Sequence, residues 1–117
     1  MPPVLNVDVE HVGQACVIRT QGELDIATAP MLESVLLHAM HSGAPSIVLD
    51  LGQVSFIDSM GLRVLVSAAK ESRNNGDRLH IDCGSGRVRQ MMEITALDRS
   101  LPLVEPTVTA TAGRPSP

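Results

Sequence analysis

Aromatic side chains are almost absent from this chain of 117 residues, because Phe56 is the only one it contains. Its core must therefore be built from aliphatic residues and methionine, and binding by aromatic stacking is nearly excluded. Lysine and arginine are also few, nine against thirteen acidic residues, and they form no cluster. A net charge of -4 without a basic patch argues against nucleic acid or an anionic membrane surface as the partner.

The chain also lacks a long apolar run and an amino-terminal basic-plus-apolar signal, which predicts a cytoplasmic protein. Residues 1–105 have the length of a single domain with one core. Residues 106–117 are rich in Pro, Thr and Ala without apolar periodicity, and we expect a disordered tail there.

Alternating apolar residues predict an edge strand near the start of the chain. Leu5, Val7 and Val9 alternate with polar residues, which is typical of a half-buried strand. A turn leads from this segment into a second apolar stretch, so the two are expected to form a hairpin. The predicted strands cover residues 5–10, 15–20, 46–51, 79–83 and 101–104.

Segments with apolar residues at helical spacing separate the later strands. The first begins after Thr28, a predicted N-cap, with Pro30 in the first turn. The predicted inward faces are Leu32, Val35, Leu36 and Ala39 in the first helix, Leu62, Leu65, Val66 and Ala69 in the second, and Val88, Met91, Met92 and Thr95 in the third. Strands that alternate with helices predict an α/β fold with right-handed parallel crossovers.

The stretch Val54 to Leu65 leads from an apolar strand into a helix through Asp58, Ser59 and Gly61. Either Asp58 or Ser59 can serve as the N-cap, and a phosphate on Ser59 would be tolerated at the positive end of the helix. Parallel crossovers place the loop that carries Asp25 at the same end of the sheet. The Asp25 carboxylate is therefore expected near Ser59, where it either orients the hydroxyl or caps a turn.

Two motifs resemble those of STAS domains in bacterial anti-sigma factor antagonists: GELD at residues 22–25 and FIDSMGL at residues 56–62. The order of elements agrees over residues 5–104. The resemblance implies the STAS fold, a mixed and mostly parallel sheet with sequential strand order and helices packed against it. It also implies a switch in which the unphosphorylated protein binds an anti-sigma factor with serine kinase activity and frees a sigma factor. Phosphorylation of the serine in the central motif then breaks the complex.

The same motifs assign roles to single residues. Ser59 matches the phosphoacceptor, Asp58 the preceding acid and Asp25 the acid of the GELD loop, whereas Met60 and Arg63 stand where many members have a hydroxyl and a glycine. Arg63 lies four residues after Ser59, so it pairs with the phosphate or an acidic kinase surface, or is a solvated helix arginine. These five residues are the predicted partner-binding set, in a protein expected to be a monomer or weak dimer.

An enzymatic function is not indicated. A hydrolase elbow needs glycine two places before the serine, where Ile57 stands. The four histidines, His11, His38, His41 and His80, occur singly, so neither a catalytic base nor a metal site is indicated. A receiver domain would need an acidic pair after its first strand, and no glycine loop with lysine is present to bind a phosphate. No cofactor is therefore expected.

The remaining alternative function is a STAS-like scaffold that recruits a partner in a larger signalling complex without phosphorylation.

The two cysteines are predicted to remain unbridged. Cys16 and Cys83 fall on strands that sequential order places two apart, whereas a disulfide needs Cα atoms within ~7 Å. Cys16 is predicted to be buried, and Cys83, just before Gly84-Ser85-Gly86, to be the more exposed and more reactive thiol.

Overall fold

Strands and helices alternate along the chain in the order that the apolar pattern predicts. The structure, a computed structural model, describes residues 4–104. Within this range the elements are β1 (Leu5–Val12), β2 (Ala15–Leu24), α1 (Ala29–His41), β3 (Ser46–Ile57), α2 (Ser59–Arg73), β4 (Leu79–Asp82), α3 (Arg87–Ile94) and a 3-10 turn (Leu97–Arg99). The predicted tail at residues 106–117 lies outside the described residues.

The described strands form one mixed sheet with the order β1-β2-β3-β4. β1 and β2 are antiparallel, with Leu5 opposite Gly22 and Val12 opposite Ala15, so the predicted hairpin and the edge position of β1 are confirmed. β3 pairs in parallel with β2 on one side and with β4 on the other. The predicted mixed α/β fold with sequential strand order is therefore confirmed.

The predicted fifth strand at residues 101–104 is wrong. Within the described chain, this segment makes a single parallel bridge between Ile81 and Leu103. Pro102 lies inside the segment and has no backbone N–H, so it cannot donate to a continuous ladder. By contrast, β3 is longer than predicted, and its pairing with β2 continues to Ile57 at the edge of the candidate site.

One apolar core lies between the three helices and one face of the sheet. Alternate residues of the parallel strands point to this face, so Ile18, Leu49 and Ile81 lie side by side and fully buried. Each such burial contributes roughly 1.5–3 kcal/mol. Phe56 is 50% exposed, and the core is aliphatic as predicted. Its helical members include Leu32, Leu36, Val64, Leu65, Val88 and Met92.

Two of the predicted inward positions are wrong. Val66 is 41% exposed, whereas Val64 is buried. The buried face of α2 includes Val64 and Leu65, and Val66 lies outside this face. Thr95 is the exposed C-cap of α3, and its hydroxyl donates to the Met91 carbonyl at 2.7 Å. A hydroxyl at a helix end can satisfy a terminal carbonyl more readily than it can enter an apolar core.

Candidate phosphorylation and partner-binding site

The candidate site lies where β2 and β3 end side by side. The parallel ladder continues to Leu24 and Ile57, and the Asp58 N–H then donates to the Leu24 carbonyl at 3.1 Å. This hydrogen bond holds the start of α2 beside the loop of residues 25–28. The carboxyl edge of parallel strands is where open α/β sheets usually carry their binding sites. The structure thus brings together the two loops that carry the predicted site residues.

The Asp58 side chain is the N-cap of α2. Its Oδ1 accepts from the backbone N–H of Met60 at 2.9 Å and of Gly61 at 3.0 Å, which have no acceptor within the helix. Its Oδ2 accepts from the Ile26 N–H at 3.3 Å. Asp58, and not Ser59, therefore caps the helix, and it also ties the loop after β2 to the first turn of α2.

Ser59 is the first residue of α2, and its side chain is exposed. Because Asp58 supplies the cap, the Ser59 hydroxyl has no hydrogen-bond partner among residues 4–104. Nearby hydroxyls are engaged: that of Thr28 donates to a β2 carbonyl at 2.7 Å, and that of Ser55 to another at 3.2 Å. Of these three hydroxyl groups, the one on Ser59 is the one without a hydrogen-bond partner in the described residues.

Gly61 lies where α2 approaches the end of β2 too closely for a side chain. A Cβ at this position would sit 2.8 Å from the carbonyl oxygen and Cγ of Leu24 and from Cγ1 of Ile57. One of these neighbours is a backbone atom, so relief would require a shift of the helix or of the strand. Gly61 therefore sets how closely the first turn of α2, with Ser59, lies against the neighbouring loop.

Asp25 caps its own turn. Its Oδ1 accepts from the N–H of Ala27 at 2.9 Å, from the N–H of Thr28 at 3.1 Å and from the Thr28 hydroxyl at 3.3 Å. Its side chain is buried, and no hydrogen bond joins it to Ser59 in the described part of the chain. Of the two roles considered for the carboxylate, the structure shows the turn cap. Thr28 stands before α1 as predicted, but its hydroxyl makes no cap bond to that helix.

Met60 and Arg63 line a groove between the first turns of α1 and α2. The groove has a volume of about 350 Å³, and Ile26, Pro30 and Val64 also line it. Met60 is half-buried and packs against the core, whereas Arg63 is exposed. The groove thus has an apolar wall that includes Met60 and carries two charged side chains, the cation of Arg63 and the anion of Glu33.

Ile26 also lines this groove, although the sequence patterns do not predict a role for it. Its side chain is 69% exposed, while its backbone N–H is held by Asp58. An apolar residue inside the polar turn between Asp25 and Thr28 was the available signal. Exposed apolar groups beside a groove are a feature of protein-binding surfaces.

Both cysteines are buried free thiols. This confirms the prediction for Cys16 and shows that the prediction of an exposed Cys83 is wrong, because Cys83 lies two residues after Ile81 and shares its inward face. Burial raises the pKa of both thiols, that of Cys83 to about 11; for Cys83, Arg89 opposes the rise and Asp82 adds to it. The strand order that separates the two thiols is also confirmed.

Residues 4–104 contain no group of three His, Cys, Asp or Glu side chains placed to hold a metal ion. In the same range, every helix is too short or too polar to cross a membrane.

The STAS domain family model matches residues 6–110, and the chain belongs to this family. Its curated relatives include the anti-sigma-B factor antagonist of Staphylococcus aureus (strain NCTC 8325 / PS 47), which is 34% identical over 93 residues, or 80% of this chain and 86% of the relative.

Solved structures share the fold. An anti-sigma factor antagonist from Mycobacterium paratuberculosis has a TM-score of 0.75 and 27% identity over 86% of this chain and 85% of its own. Unphosphorylated SpoIIAA has a TM-score of 0.70 and 21% identity, covering 95% of this chain and all of its own (100%). The phosphorylated form of SpoIIAA, a Bacillus cell fate determinant, has a TM-score of 0.65 and 22% identity over 86% and 90%.

Proposed function

We propose that this protein is an anti-sigma factor antagonist controlled by phosphorylation of Ser59. The unphosphorylated form binds an anti-sigma factor that is also a serine kinase, and a sigma factor is released. The kinase transfers the γ-phosphoryl group of its ATP to the Ser59 oxygen, ADP leaves, and the modified protein dissociates. The names of the curated relatives support the antagonist role, and the phosphorylated form of SpoIIAA supports the modification.

The observation that carries this proposal is the exposed, unpaired hydroxyl of Ser59 on a firmly held backbone. A kinase must bring the acceptor oxygen close to the γ-phosphate, and a hydroxyl that caps a helix would first have to break its hydrogen bond. Asp58 performs the capping, so Ser59 can react without any loss to the fold. Met60, the next residue, has no hydroxyl to compete as acceptor.

The proposed partner-binding surface combines Ser59 with the groove of Met60 and Arg63 and with the exposed Ile26. Such a surface offers an apolar centre with a polar edge, the usual composition of a protein interface. Asp58 and the buried Asp25 contribute by holding the two loops in place, because their carboxylate oxygens are already engaged by backbone N–H groups.

Phosphorylation would act on this surface through charge and bulk rather than through unfolding. A phosphate adds about 1.5 to 2 negative charges where an uncharged hydroxyl docked before. The positive end of α2 offsets part of this repulsion, by about 1 kcal/mol or less at an exposed position. Since the Ser59 side chain lies outside the core, the modified protein is expected to remain folded while it loses its partner.

The test is phosphate transfer from candidate anti-sigma kinases to matched variants. Ser59→Ala is expected to take up no label, to bind the anti-sigma factor, and to stay bound in the presence of ATP. Ser67→Ala is the matched control, because Ser67 is another exposed serine of α2 beside the same groove, and it should be labelled like the wild type. Ser59→Glu should bind at least tenfold more weakly at an unchanged melting temperature.

Label in Ser59→Ala at wild-type stoichiometry would show that another residue is the acceptor. Stable binding to an anti-sigma factor without labelling by any candidate kinase would favour the alternative, a scaffold that recruits its partner without a phosphorylation cycle.

A further inference from the structure

Arg63 is an exposed cation of α2 whose charge has no assigned partner. Within residues 4–104 its guanidinium makes neither a hydrogen bond nor an ion pair. Two other arginines differ in this respect. Arg78 donates to a carbonyl in the last turn of α1 and to carbonyls in the segments that follow α1 and α2, and Arg89 donates to two loop carbonyls. Those two have structural roles, whereas the position of Arg63 is not explained by any contact that stabilises the fold.

Arg63 lies on the same face of α2 as Ser59. The two residues are four apart on α2 and both are exposed, so their side chains leave the same face of the helix with Cβ atoms roughly 5–6 Å apart. Arg63 is the only cation among the residues that line the groove, where Glu33 of α1 is the only anion. No ion pair joins Arg63 to Glu33, so the guanidinium remains available on the helix face that it shares with Ser59.

We propose that Arg63 holds the phosphate in the modified protein and is thereby withdrawn from the partner-binding surface. This inference rests on the proposed modification of Ser59. A guanidinium presents a planar set of N–H donors that matches two oxygens of a phosphate, which makes it a better partner than a neutral donor. In the unmodified protein the same cation is exposed on the proposed partner-binding surface.

Phosphorylation of Ser59 would then change the proposed interface in two ways. It adds negative charge at Ser59, and it engages a cation that is otherwise exposed on the proposed partner-binding surface. The pair lies within one face of α2, so the change requires no movement of the backbone and leaves the core intact.

The experiment uses the full chain with phosphoserine introduced at position 59 during translation, so that no kinase is needed. The pH titration of the phosphate is followed by its ³¹P chemical shift in the wild type and in Arg63→Ala. A cation beside the phosphate stabilises the dianion, so the titration midpoint is expected roughly half a pH unit lower in the wild type than in Arg63→Ala. Arg63→Lys should retain a large part of this difference, and high salt should reduce it.

Arg73→Ala is the matched control, because Arg73 ends the same helix far from Ser59 and carries the same charge. Its midpoint should equal that of the wild type. Equal midpoints for the wild type and Arg63→Ala would overturn the proposal, as would equal effects of Arg63→Ala and Arg73→Ala. The titration contains no anti-sigma factor, so its result is separate from the binding assay that tests the proposed function.

Discussion

The Asp58 side chain provides the sharpest test of how the site is held together. Asp58→Ala removes the acceptor from the N–H groups of Met60, Gly61 and Ile26. Loss of a side-chain N-cap costs about 1 kcal/mol, and the unpaired Ile26 N–H in an exposed turn adds roughly 0.5–1 kcal/mol. The sum of about 1.5–2 kcal/mol should lower the melting temperature by roughly 6–8 °C in a domain of this size.

Urea unfolding followed by circular dichroism measures this loss as a change in midpoint at constant slope. Asp58→Asn keeps one side-chain oxygen as a cap and should lose less than Asp58→Ala. Glu93→Ala, at an exposed position of α3, is the surface control and should change the free energy of unfolding by less than about 0.5 kcal/mol. A wild-type urea midpoint for Asp58→Ala would refute the argument that this carboxylate holds the two loops.

Four further predictions concern Gly61, Asp25 and Cys83. Gly61→Ala should lower the free energy of unfolding by about 1–3 kcal/mol because its Cβ would meet a backbone carbonyl at 2.8 Å; a wild-type urea midpoint would contradict this. Asp25→Ala should lose about 1 kcal/mol through the open turn, while Asp25→Asn keeps the accepting oxygen and most of the stability; an unchanged melting temperature in Asp25→Ala would argue against the turn cap. Native Cys83 should react slowly with a thiol reagent at pH 8, since burial raises its pKa from 9.0 to about 11, and rapid labelling would contradict its burial. The folded state holds that proton more tightly than the unfolded state, so this contribution to stability is complete below about pH 9 and is lost as the pH rises towards 11; urea midpoints in Cys83→Ala should depend less on pH over that interval.

Local patterns were enough to predict the order of the elements and the position of the site along the chain. The period of the apolar residues depends on the few residues within one turn or one strand, which is why β1, β2 and the three helices were predicted near their observed places. The pair Asp58-Ser59 before a helical pattern likewise predicts a cap at that position, because capping involves only the next two or three N–H groups. The sequence alone did not decide which of the two residues is the cap.

Contacts between distant segments were decided only by the tertiary structure. The second oxygen of Asp58 binds the N–H of Ile26, 32 residues earlier in the chain, because the register of β2 and β3 brings their ends together. The same register places Leu24 against Gly61 and leaves no room for a side chain there. Burial of Cys83, directly after β4, depends in a similar way on which face of the sheet the helices cover. Local sequence patterns do not specify that face. Local sequence patterns therefore indicated which residues could form the site, and the packing of strand ends against α2 determined that Asp58 holds it together while the Ser59 hydroxyl stays free.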